Sequence, residues 1–114
     1  MLHISKEVAD KLHEVIGPEG LTVMDQEERN VWFANWLKRP QDVVVAYIVN
    51  DCNMGSNCVV IAEYTDQTFL VFQEGYGISS EELYEGSNAE EAMKVWTEAV
   101  NREMLSSYEG NPQI

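Results

Sequence analysis

Two thiols, two imidazoles and a crowd of carboxylates are the side chains of this chain that could do chemistry. Cys52 and Cys58 are its only cysteines, set around a glycine in NDCNMGSNCVV, residues 50–60. Joined as a disulfide they would close a short loop, and the stabilisation a disulfide gives grows with the loop it closes. The N-terminal MLHISKEVADKL lacks the basic-then-apolar pattern of an export leader, and the reducing cytoplasm in which such a chain is expected keeps thiols apart. As metal ligands they lack company. Tetrahedral zinc takes about four Cys or His donors, the C-x5-C spacing matches no strong zinc pattern, and His3 and His13 belong to the first helical segment. No metal is expected. A nucleophilic thiol needs a positioned base and a positive setting; Asp51, beside Cys52, pushes the other way. The two thiols are read as small residues flanking a hairpin loop.

The remaining candidates for chemistry fare no better. His13, beside Leu12, reads as a helix boundary residue. Glu81-Glu82 in a short surface turn does not hold the geometry of an acid–base pair. Gly75-Tyr76-Gly77 is too short for a phosphate cradle and lies among acids that repel phosphate. No set of nucleophile, base and orienting group can be assembled, so the chain is expected to be no enzyme and to carry no cofactor.

The carboxylates matter through their number and placement. Twenty acids against seven bases give a formal charge of −13. That balance excludes direct binding to nucleic acid or to an anionic membrane, which need a basic footprint. The bases are Lys6, Lys11, Arg29, Lys38, Arg39, Lys94 and Arg102; none falls between Pro40 and Met93, a stretch holding ten acids. Aromatic residues are interleaved there, as at interfaces with an anchored centre and a charged rim. The expected partner-binding residues are Glu74, Tyr76, Glu81, Glu82, Tyr84, Glu85, Glu90 and Glu91, with Asp51 and Asp66 contributing from hairpin loops. Spaced carboxylates can imitate a row of phosphates. The expected function is therefore a binding or inhibitor protein that docks on the basic surface of a nucleic-acid-handling partner. Small phage or mobile-element inhibitors of host defence often have this general size, charge and form. The alternative is a small-molecule binding or sequestering protein, its aromatic pocket between sheet and helices lined by Trp32, Trp36, Tyr47 and Trp96.

The elements that must position these residues follow from periodicity. Ser5 can cap a helix to Ile16, stopped by Gly17-Pro18, with Val8, Leu12, Val15 and Ile16 on one stripe. Leu21-Thr22-Val23 is a link that could form a strand. Asp25 and Glu28 have capping-box spacing and open a second helix to about Lys38. Val43–Val49 is apolar on both faces, as an interior strand is. Residues 58–65 and 68–73 are two more strands, joined by a tight hairpin at Asp66-Gln67. Ser79 with Glu82 suggests one helical turn, and Ser87 with Glu90 opens a helix from about Asn88 to Ser106. Glu90–Lys94 and Glu98–Arg102 stand at favourable i, i+4 spacing on it.

The chain is thus expected to be an α+β domain of two layers over residues 1–107, a three-stranded antiparallel meander against helices, in the order α-α-β-β-β-(short α)-α. Residues 108–114 read as a flexible tail. The order resembles that of the double-stranded-RNA-binding domain in topology alone, since the acidic charge rules out that function. The meander's outer strands are open edges, which allows a homodimer. No run of apolar residues is long enough to span a membrane.

Overall fold

A computed structural model describes residues 1–24, 37–51 and 57–114. Its centre is an antiparallel sheet of five strands in sequential order: β1 Leu21–Met24, β2 Val43–Asp51, β3 Asn57–Tyr64, β4 Phe69–Glu74 and β5 Glu81–Gly86. Two α-helices are described, α1 Lys6–Ile16 and α2 Ala89–Glu103, with short 3-10 turns at Pro40–Asp42 and Leu105–Ser107. The α+β class and the antiparallel meander of the sequence reading hold. The expected three strands are the sheet's centre, and a further strand joins at each end.

The middle strands form for the reason their composition implies. β2, β3 and β4 alternate between two buried faces. Val45, Tyr47, Val49, Val59, Ile61, Phe69 and Val71 point to the helices; Ala46, Ile48, Cys58, Val60, Ala62, Tyr64, Leu70 and Phe72 point the opposite way. On the helix face α1 contributes Leu12, and α2 contributes Ala92, Trp96, Ala99 and Val100, all fully buried. Trp96 closes that core and donates its indole N–H to the Val59 carbonyl at 3.4 Å. On the opposite face Met24 and Leu37 join the apolar set.

The local signals placed α1 and, to within a few residues, α2. The Ser5 hydroxyl accepts from the Val8 N–H at 3.2 Å and starts α1. Gly17, at φ 119°, takes a backbone conformation in which side chains are rarely found and ends it. The α2 cap is Asn88, one residue after the Ser87 of the expected box; its side chain accepts from the Glu91 N–H at 3.0 Å.

Two elements differ from expectation. The helical turn expected at Ser79 is instead strand β5. One isolated turn would fix several residues for a single hydrogen bond, whereas as a strand the segment pairs with β4 and places Leu83 and Tyr84 against the helix-face core. Packing overrode the helix preference of Glu and Leu, which is a weak prior. At the other end Leu21–Met24 pairs with Ala46–Val49 and becomes β1. Most of the second expected helix, with Trp32 and Trp36, lies outside the described residues.

The last residues are held at two places. Tyr108 donates its hydroxyl to Asp51 at 2.8 Å, and Ile114 exchanges two hydrogen bonds with the Asn101 side chain. No helix among the described residues is long and apolar enough to cross a membrane.

Candidate functional site: an acidic sheet edge

Strand β5 is the site's frame, and an irregularity in it decides where its carboxylates point. Val71 pairs with Tyr84, but the next residue of β4, Phe72, pairs with Glu82, so Leu83 is an extra residue, a β-bulge. In a regular strand Glu82 and Glu85, three apart, would face opposite sides. The bulge brings both to the face opposite the helices, beside Phe72 and Leu70.

Among the described residues they meet one cation there. The Lys38 ammonium lies 3.2 Å from Glu82 and 3.5 Å from Glu85. All three side chains remain 41–58% exposed, so water screens the contact. The hydrogen bond and charge of Glu82, then the charge of Glu85, raise the Lys38 pKa above its ordinary value.

Lys38 is put there by its neighbours. Its carbonyl accepts from the Tyr64 hydroxyl at 2.6 Å. Arg39 stacks over the Tyr64 ring, 4.4 Å from its centroid, and donates to Asp66 at 2.9 Å and to Thr68 at 3.2 Å. Asp66 in turn accepts from the Thr68 hydroxyl and N–H. These bonds, the Thr68 hydroxyl first and Arg39 next, hold the Asp66 carboxyl below its usual range. Burial pushes the Tyr64 hydroxyl up to about 12, against the opposing pull of Arg39, so it stays a donor. Lys38-Arg39 thus forms a strap pinned on the β3–β4 hairpin, from which Lys38 reaches β5.

Beside the strap, Lys38, Leu70, Phe72, Glu74, Glu81 and Glu82 line much of a cleft of about 240 Å³ with an apolar floor and an acidic rim. The connection from β4 to β5 rises next to it. Gly75 sits so close to Asn57 that an added Cβ would lie 2.2 Å from the Asn57 side-chain oxygen and 2.6 Å from its Cα. The same oxygen accepts from the Gly77 N–H at 2.9 Å. Pinned on both sides, the turn presents Tyr76, a residue 96% exposed.

Of the expected partner-binding residues, Glu74, Glu81 and Glu82 share the cleft, Glu85 joins them through Lys38, and Tyr76 stands in the adjoining turn. Asp51 does not belong to this surface: it is fully buried and accepts from Tyr108. Asp66 is exposed but engaged by Arg39. Tyr84 turns inward, and its hydroxyl accepts from the Asn88 N–H at 3.1 Å. Glu90 and Glu91 are exposed in the first turn of α2, where negative charge suits the helix dipole. No ion pair links Glu90 to Lys94 among the described residues, and Arg102 pairs with Glu103 and donates to Gln73, not to Glu98.

Tyr47 and Trp96, expected to line an aromatic pocket, are packed in the helix-face core, Tyr47 donating its hydroxyl to the Leu2 carbonyl. Trp32, Trp36 and Cys52 lie outside the described residues. Cys58 is a free, buried thiol, and burial, with the nearby Glu74 charge, pushes it up to about 11. That shift favours the thiol over the thiolate, the form that acts as a nucleophile. Among the described residues no group of three or more His, Cys, Asp or Glu side chains is placed to hold a metal ion.

Sequence reasoning missed the role of Lys38 and Arg39. They are the last two bases before the base-free stretch, and nothing in local spacing announces that they fold back onto it. No family model, curated protein or solved structure matches the chain.

Proposed function

We propose that this chain is a non-enzymatic binding protein that docks its β5 surface on a basic patch of a nucleic-acid-handling partner, occupying the ground on which phosphates would otherwise lie. The observation carrying this reading is the gathering of Glu74, Glu81, Glu82 and Glu85 at one sheet edge with, among the described residues, a single cation, the Lys38 ammonium, beside them. Tyr76 beside them supplies the large amphipathic side chain that interfaces favour as an anchor. A total charge of −13 adds long-range attraction for a cationic surface and repulsion of nucleic acid itself.

The reading is tested by titrating the protein into purified basic nucleic-acid-binding domains, free and loaded with their nucleic acid. The expected result is displacement of the nucleic acid and an affinity that falls steeply with salt, since the Debye length shrinks from about 10 Å at 0.1 M to about 3 Å at 1 M. Reversing Glu81, Glu82 and Glu85 together to Lys should abolish it. Full binding by that triple variant, or affinity flat across the salt range, would refute the proposal.

A further inference from the structure

The carboxylates of β5 lie on a strand whose outer side is open among the described residues. β5 is the last strand of the sheet and pairs through Glu81–Gly86 with β4 alone. Among the described residues no turn, loop or cap makes a backbone hydrogen bond to it. An open edge is a row of donors and acceptors for another strand.

We infer that β5 receives an extended, lysine- or arginine-rich segment of the partner as a sixth strand. This rests on the acidic-docking reading above and adds the form the partner takes at the site. Charge chooses the occupant. A second copy of the chain would set Glu81, Glu82 and Glu85 against like carboxylates, in a pair of molecules each at −13, which disfavours self-pairing. A basic strand reverses the sign of every one of those cross-strand contacts. The cleft next to the edge suits the same occupant: Leu70 and Phe72 offer a floor for the methylenes of a lysine or arginine, and Glu74, Glu81 and Glu82 a rim for its charge. Lys38 shows the surface already receiving an ammonium from within the chain. The bulge at Leu83 bends the edge, so the added strand is short.

The test uses the intact protein and a short capped peptide of alternating lysine and threonine. Its comparison is the same peptide methylated at every backbone nitrogen, which keeps the charge and loses the ladder donors on both sides. Strand addition predicts that the unmethylated peptide binds about tenfold more tightly. It also predicts slowed hydrogen exchange of amides within Glu81–Gly86, and loss of both effects in the E81K/E82K/E85K variant. Equal affinities without protection of those amides would overturn strand addition while leaving acidic docking standing. Failure of both peptides to bind at low salt would overturn both readings. Dimerisation of the protein alone, with β5 amides protected, would overturn the inference by giving the edge to a second copy.

Discussion

Gly75 shows how far one side chain's absence shapes the surface. A methyl at that position meets Asn57 at both its side-chain oxygen and its Cα, and a backbone atom cannot swing aside as a flexible side chain can. Gly75→Ala is expected to destabilise the fold by about 1–3 kcal/mol, the usual range for forced overpacking. The measurement is a lower denaturant midpoint with unchanged slope. Asp66 contributes through its protonation. Its folded-state pKa lies below the ordinary value, so its contribution is fully present above the unfolded pKa and is lost as pH falls through the folded one. An Asp66→Asn variant should therefore be less stable than the parent at neutral pH. The difference should shrink on acidification, and melting curves across pH check this; a gap independent of pH would show that the carboxylate charge is not what stabilises.

Among the elements, the strap and β5 form a pair that local pattern could not reveal. The interior strand from Val43, the hairpin at Asp66-Gln67 and the α2 helix were legible because each is written in neighbouring residues: alternation on two faces, a turn between β-rich runs, a cap before a 3.6-residue stripe. β5 was not. Its Glu-Glu-Leu-Tyr-Glu has no two-residue alternation, because Leu83 and Tyr84 both pack on the helix face across the bulge. The site was legible only in part. The acids from Glu74 to Glu85 are crowded in sequence and so remain near one another on any fold. Asp51 was misplaced because its burial depends on Tyr108, 57 residues away. Lys38 was overlooked for the same reason, its carboxylates lying 44 and 47 residues on. That contact also makes a prediction. Lys38→Gln leaves Glu82 and Glu85 without their ammonium and should tighten binding of the lysine–threonine peptide a few-fold. Lys11→Gln removes an equal charge on α1 and should tighten it less. Calorimetric titration of both variants decides whether Lys38 competes for the site or merely adds to the overall field.

Taken whole, the molecule separates stability from charge. Its three central strands are apolar on both faces, and their buried polar groups are few and engaged: Asp51 with Tyr108, Asn57 with Gly77, and Gln73 with the Ser79 carbonyl and Arg102. The sheet can therefore carry an edge rich in like charges without relying on surface ion pairs. The bulge gives that edge its handed pattern, and with an unusual consequence. Because one supernumerary residue turns Glu82 and Glu85 to a common side, the arrangement is written in how many residues the strand contains as much as in which they are. Conservative exchanges along the strand would preserve it. Inserting one residue into β4 between Val71 and Phe72, opposite Leu83, would straighten the pleat, split the acidic couple between front and back, and leave every carboxylate in the chain intact but the pattern undone.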